Sequence, residues 1–330
     1  MRAVQVREFG SFDLADVAEV ANPVAGPGQV LIETHAAPLN FVDLLVIGGK
    51  YQFLPKLPFT PGKGPAGIVR ALGEGVTNLK IGDRVLAMAE TGGYAQMAAV
   101  DAGQCYLLPA NMTFADAGAS SLVYDTSWFA LRARARIAPG ETVLVLGATG
   151  GVGLASVQLA KAMGARVLAG VSNMSKAQMV RDAGADGIID LSQDDLRESL
   201  RAQVFAQNAG KGADIVLDML GGDYFDAALR ALAWCGRLVV IGFAAGRIPS
   251  VKANYLLVKN IEVSGLQVSD YRKRQPERVA ECYCEVFGLF ESGKLKPLPY
   301  ETMRLDDFKL GLRKIEDRTV TGRVVLLPQA

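Results

Sequence analysis

The stretch that most constrains this chain is GATGGVG, residues 147 to 153. It stands directly after the apolar run TVLVL and opens the run VGLASVQLAKAMG. TVLVL predicts a buried strand. The run after it, apolar at helical spacing and closed by Gly164, predicts a helix. Glycines between a strand and a helix permit a tight turn, close approach of a pyrophosphate to the backbone, and close packing of the helix on the strand. The helix start adds free N–H groups and the positive end of its dipole. Gly150 and Gly153 occupy the second and third places of G-x-G-x-x-G, with Ala148 in the first. The motif predicts dinucleotide binding; the competing reading is an ordinary glycine-rich turn.

The surroundings decide between these readings. RVLAGV, DGIID, ADIVLDML, RLVVIGF and IEVSGLQ read as further strands, with helices between them, one of which ends at Gly184. Ser192 is expected to cap the helix after DGIID, with Asp194 and Asp195 in its first turn. A helical pattern covers residues 115 to 136, ahead of the first strand. Near-continuous apolar strands alternating with helices predict a doubly wound parallel sheet, the Rossmann arrangement. The first 120 or so residues differ. Short apolar runs such as AVQVREF and QVLIETHAAPLN are separated by turn signals such as NPVAGPG, which predicts a β-rich domain. After about residue 268 helices are expected at 278 to 292 and 306 to 317, with short strands around LPYETM and RVVLLP. This tail is read as returning to the first domain. The expected fold is α/β: a β-rich domain from residues 1–120 and 268–330, and a Rossmann domain from residues 121–267.

A chain of 330 residues suits about two domains. Lysine plus arginine number 35 against 34 aspartate plus glutamate, which argues against nucleic acid or an anionic membrane as a main partner. No run of about 20 apolar residues is present, and MRAVQVREFG does not read as a secretory signal. Cys105, Cys235, Cys282 and Cys284 form no disulfide framework. The expectation is a reduced, cytoplasmic protein.

The kind of dinucleotide is read at the end of the second strand. An NAD site places an acid there, about 20 residues after the glycines, to bind the ribose hydroxyl. Residues 169 to 176 read AGVSNMSK, without an acid. Ser172 can donate a hydrogen bond to a 2′-phosphate and Lys176 brings positive charge, so NADPH is the expected cofactor; the alternative is that both residues merely start the next helix. Ligands of such sheets lie beyond the carboxyl ends of the strands. That rule assigns Thr149, Gly150, Gly151, Val152, Ser172, Leu220, Gly242, Phe243, Ala244, Gly265 and Leu266 to the cofactor.

The glycine loop, the β-rich first domain and the segment LPFTPGKGPAGIVRALGEGVTNLKIGDRVLA together resemble the medium-chain dehydrogenase/reductase superfamily, in its zinc-independent quinone oxidoreductase (ζ-crystallin-like) branch. The resemblance covers nearly the whole chain. It implies a GroES-like catalytic domain built from both chain ends, with NADPH in the cleft between the domains. Zinc enzymes of the superfamily use a Cys, a His in a PGHE-type motif and a later Cys. The matching places here are Asn40 and Lys63, with no thiol near Tyr124, and the four-cysteine structural lobe is missing, so no metal is expected. Asn40 and Asp43 match the branch's N-x-x-D motif, and the resemblance implies that they and Tyr51 face the reacting groups. Tyr51 and Thr126 match cofactor contacts. The residues also admit plainer roles: Asn40 and Asp43 as a helix cap and first-turn acid, Tyr51 as a loop aromatic packing on Phe53 and Leu54. His35 reads as a satisfied structural histidine. One departure stands out. Where the family has PG-x-[DE]-x-A-G, this chain reads PGKGPAG, with Gly64 in place of the acid and Lys63 beside it; an altered cleft or an anionic substrate are the readings.

The implied reaction is NADPH-dependent hydride transfer to a quinone or to the β-carbon of an α,β-unsaturated carbonyl compound, with Tyr51 as the proton source. A non-catalytic NADPH-binding relative with a structural or RNA-binding role is the third reading. The apolar strand IEVSGLQV at the presumed sheet edge predicts a homodimer.

Overall fold

The computed structural model describes residues 1–330. The chain divides into two compact units: Met1–Leu122 with Pro297–Ala330, and Val123–Lys296.

The first unit is built on a seven-stranded sheet. Its order runs Tyr300–Arg304, Arg323–Leu327, Gln29–Leu39, Ala66–Leu72, Arg84–Ala87, Cys105–Leu107, with Met97–Asp101 also paired to Gln29–Leu39. The central strand Gln29–Leu39 alternates buried and half-buried residues along most of its length, as a sheet with one covered face requires. Val30 and Ile32 from it meet Val69, Val85 and Val100 in one core. A second core gathers Val4, Phe12, Leu39, Ile47, Phe308, Leu312 and Val324. Each large aliphatic or aromatic side chain buried in this way contributes about 1.5–3 kcal/mol. The last segment of the chain therefore belongs to this sheet: Arg323–Leu327 runs antiparallel to Gln29–Leu39.

The second unit is a six-stranded, wholly parallel sheet in the order Gly187–Asp190, Arg166–Val171, Thr142–Leu146, Ala213–Asp218, Leu232–Val240, Glu262–Gly265. In chain order this is 3-2-1-4-5-6, the Rossmann order. Every residue of Thr142–Leu146 is buried, because helices cover both faces. The order reverses between Thr142–Leu146 and Ala213–Asp218, and the glycine loop stands at this switch point.

The structure differs from the sequence expectations in three places. The second unit ends at Lys296 rather than near residue 268. The helices Val268–Arg274 and Pro276–Glu291 pack on Val123–Trp128, where Arg272 pairs with buried Asp125 at 2.6 Å and Trp128 Nε1 donates to Glu285 at 2.7 Å. The helical stretch near 115 to 136 is broken into Phe114–Ser120, Val123–Trp128 and a π-helical turn Phe129–Ala135. Its first break is at Leu122, in the left-handed region with φ 63°, which is also the end of the first unit's opening segment. Ser192 does not cap the helix after residue 190. Its hydroxyl donates to Asp190 at 2.6 Å, and Asp195, with φ 48°, stands at the cap of Leu196–Gln207.

Candidate active site

In the second unit the assigned cofactor residues share the carboxyl edge of the sheet. The helix Gly151–Ala162 starts from Gly150, which brings no side-chain acceptor, so the first-turn N–H groups of Gly151, Val152 and Gly153 have no intrahelical partner. A Cβ on Gly153 would stand 2.2 Å from the Gly147 carbonyl oxygen and 2.7 Å from Ala148 Cα. Only glycine allows the helix to sit this close to the strand it follows. Unpaired donors, a dipole end and an open backbone fit a pyrophosphate. Thr149 is half-buried in the same turn.

The loops after the other strands gather beside it. A Cβ on Gly147 would meet the Leu220 side chain at 3.1 Å, so these two loops touch. The segments 218–222 and 241–247 are laced together: Ala244 N–H donates to Met219 O at 3.0 Å and Ala245 N–H to Leu220 O at 2.8 Å. Gly242 and half-exposed Phe243 lie in this lacing, and Leu266 N–H, beside Gly265, returns to Val240 O at 3.0 Å. Ser172 is exposed, one residue past the end of Arg166–Val171, and Lys176 closes the short 3-10 turn that follows. Thr126 lies on Val123–Trp128, next to Ser127, whose hydroxyl donates to Val123 O at 2.7 Å and reaches Val152 O at 3.1 Å.

Asp218 was not anticipated. Its Oδ1 accepts the N–H groups of Leu220 and Gly221, both at 2.9 Å, and so shapes the turn that carries Leu220. The carboxylate is fully buried and Oδ2 has no hydrogen-bond partner. Burial pushes its pKa up, against the two N–H donors. The available signal was an acid closing the apolar strand ADIVLD.

In the first unit Asn40 and Asp43 sit at the start of the helix Phe41–Ile47 and are bonded to each other. Asp43 Oδ2 accepts from Asn40 N–H at 2.8 Å, from Asn40 Nδ2 at 3.2 Å and from the Tyr94 hydroxyl at 2.7 Å. Arg323, from the chain's last strand, donates to Asn40 Oδ1 at 2.8 Å and to Ala119 O at 3.0 Å. Burial raises the pKa of Asp43, opposed by the Tyr94 and Asn40 donors and by the Lys63 charge. Burial likewise raises the Tyr94 phenol and lowers Arg323 to about 10. The backbone bond to Asp43 makes it the first-turn acid of a helix start, while the Tyr94 and Arg323 contacts make the pair the hub of a buried polar cluster. Tyr94 and Arg323 come from distant sequence and carried no local signal.

Lys63 joins this ground. Its ammonium pairs with Glu90 and lies 5.2 Å from the centre of the Tyr51 ring. Glu90 neutralises that ammonium, which weakens the expectation that Lys63 draws an anionic substrate. Tyr51 is half-buried, edge-on to Phe53 with ring centres 6.4 Å apart. His35 bonds Glu33 at 2.8 Å and stacks on Phe114 at 4.7 Å, apart from the cluster. No group of three or more His, Cys, Asp or Glu side chains is placed to hold a metal ion. Cys282 is buried and Cys284 exposed, so they present different faces of one helix.

A β-rich unit closed by the chain's end, joined to a 3-2-1-4-5-6 sheet with a glycine loop at its switch point, is the architecture of a medium-chain dehydrogenase/reductase. Residues 26–110 match the model of the alcohol dehydrogenase GroES-like domain, and residues 151–283 that of the zinc-binding dehydrogenase. The chain is 36% identical over 328 residues to a quinone oxidoreductase-like protein 2 homolog of Nematostella vectensis, covering 98% of this chain and 88% of that one. Among solved structures, Escherichia coli quinone oxidoreductase complexed with NADPH superposes with a TM-score of 0.90 at 29% identity, over 99% of this chain and 100% of that one. The CurK enoyl reductase does so with a TM-score of 0.88 at 26% identity, over 99% and 98%. The chain belongs to the medium-chain dehydrogenase/reductase family, among its quinone oxidoreductase-like members.

Proposed function

We propose that the chain is an NADPH-dependent, zinc-independent reductase that delivers a hydride to a quinone. Reduction of an α,β-unsaturated carbonyl double bond is the second reading, favoured by the phenol of Tyr51 and by the likeness to an enoyl reductase. The observation that carries the proposal is what stands where zinc relatives place metal ligands. Asn40 is bonded to the Arg323 guanidinium at 2.8 Å and position 63 is itself an ammonium. The Arg323 guanidinium beside Asn40 opposes a divalent cation there, and a Lys63 ammonium paired with Glu90 has no lone pair to offer a metal.

Bound NADPH would supply the hydride. The N–H groups of 151–153 would hold its pyrophosphate, Ser172 and Lys176 its 2′-phosphate. Thr126, Thr149, Leu220, Gly242, Phe243, Ala244, Gly265 and Leu266 would line it. The Tyr51 hydroxyl would donate to the substrate oxygen on which charge develops, and Asn40 and Asp43 would hold the frame around it. The test is NADPH oxidation with phenanthrenequinone and with an acrylate-type enone, before and after EDTA treatment. The proposal expects turnover that EDTA leaves unchanged. Turnover of neither acceptor, or activity restored only by zinc, overturns it.

The proposed assembly is a homodimer. The edge strand Glu262–Gly265 follows a helix, Ala253–Lys259, that exposes Leu257 (79%) and Val258 (75%). A monomeric mass by light scattering at micromolar concentration contradicts it.

A further inference from the structure

The sequence P-G-K-G-P, residues 61 to 65, aims one side chain with unusual firmness. Gly62 has φ +95° and Gly64 φ +66°, both in the region that favours glycine. A Cβ on Gly62 would stand 2.2 Å from Tyr94 Cδ1, and one on Gly64 1.8 Å from Ser121 Oγ. An acid at position 64 is therefore excluded by space as well as by backbone. The segment is also laced to residues 89–94, which carry Glu90. Gly64 N–H donates to Ala89 O at 3.1 Å, Gly93 N–H to Gly62 O at 2.9 Å, and Tyr94 N–H to Pro61 O at 2.9 Å. Lys63 is clamped between two positions that accept only glycine, and its side chain is 5% exposed.

A buried ammonium needs a matching charge, and Glu90 supplies it. An ion pair with Glu90 accounts for the burial of the ammonium. It does not account for its place 5.2 Å from the centre of the Tyr51 ring, where a cation is attracted by the ring's quadrupole. We infer that Lys63 is a positioning residue of the reductase site: Glu90 holds its ammonium, and the ammonium holds the Tyr51 ring so that the hydroxyl is aimed at the substrate's developing oxyanion. The inference rests on the reading of Tyr51 as the donor.

The experiment compares Lys63→Met, which removes the charge at similar length, with Lys63→Arg, which keeps it, alone and combined with Tyr51→Phe. In the wild-type background Lys63→Met is expected to lower kcat for an enone about ten-fold, the span of a desolvated cation–π contact. The NADPH dissociation constant stays in place and Lys63→Arg restores most of the rate. In the Tyr51→Phe background, which lacks the hydroxyl, Lys63→Met is expected to cause no further loss, because residues acting as a unit are not additive. Losses that multiply, or a loss carried by NADPH affinity, overturn the inference. A second readout uses the cofactor-free protein with labelled tyrosine: NMR should show contacts between the Lys63 methylenes and the Tyr51 ring, and Lys63→Met should broaden or average the ring signals. If Tyr51→Phe alone leaves kcat unchanged, the donor reading fails. The ring signals then decide the positioning role, and a ring that stays fixed in Lys63→Met refutes it. Should Lys63→Met not fold, Glu90→Gln loosens the same ammonium and must give the same kcat and ring effects.

Discussion

The glycine loop of the second unit and the polar cluster of the first are built from different materials. The loop is one contiguous segment, residues 147 to 153, and what it offers is backbone N–H groups and the absence of side chains. The cluster draws Asn40, Asp43, Tyr51, Lys63, Glu90, Tyr94 and Arg323 from separated parts of the chain and is held together by their side chains. The contrast extends to the buried carboxyls. Asp43 Oδ2 is bonded by three donor atoms, two from Asn40 and one from Tyr94, whereas Asp218 is bonded only by its own turn and keeps an unpaired Oδ2. A backbone site is robust to side-chain exchange except at its glycines. A side-chain site is sensitive at every member.

The sharpest break in that comparison is expected from Tyr51→Phe. Loss of a proton or oxyanion donor should lower kcat for an enone by roughly ten- to ten-thousand-fold. Quinone turnover and NADPH binding should change much less, because a hydroquinone anion is already stabilised. Equal losses for both acceptors, with a rising NADPH dissociation constant, would make Tyr51 a cofactor contact instead.

On the backbone side, Ser172→Asp places a carboxylate at the expected 2′-phosphate ground. NADPH affinity should fall by about ten- to a hundred-fold, the worth of a charge-assisted hydrogen bond, and the preference should turn to NADH. Wild-type protein binding both cofactors equally would show that residues 169–176 do not select. Gly153→Ala should destabilise the fold by about 1–3 kcal/mol, as overpacking does, and weaken NADPH binding with it. Unchanged urea midpoints would mean that the Gly147–Gly153 contact relaxes freely.

The smallest effect concerns the lone carboxyl. Burial raises the pKa of Asp218 in the folded chain above the ordinary carboxylate range, so the folded state holds the proton more tightly than the unfolded one. Its contribution is favourable at low pH and is lost as pH rises through the folded value. Asp218→Asn does not titrate and keeps an oxygen for the Leu220 and Gly221 donors. The variant should therefore gain stability relative to wild type on going from pH 3.5 to pH 7, measured by urea unfolding. A difference that shrinks over that range would contradict the sign.

The inner strands of the parallel sheet were legible because they are continuous apolar runs buried on both faces, and Thr142–Leu146 and Arg166–Val171 fall where TVLVL and RVLAGV stand. The break at Leu122 was not, because residues 115 to 136 read as helical throughout, and the turn stands where Ser121 lies against the distant Gly64. Ser192 failed as a cap because the helix starts only at Leu196, with Asp195 at its cap, and Ser192 instead turns back to Asp190.

Sequence alone determined the glycine loop and its helix, since both depend on neighbours within a few residues, and it marked Lys63 and Gly64 as a departure from the family pattern. Only the tertiary structure decided what that departure means. The partners of Lys63 are Glu90 and Tyr51, and those of Asn40 and Asp43 are Arg323 and Tyr94. Such contacts are set by sheet pairing and by the return of Arg323–Leu327 to Gln29–Leu39, a register decided by the burial of whole faces that no local spacing encodes.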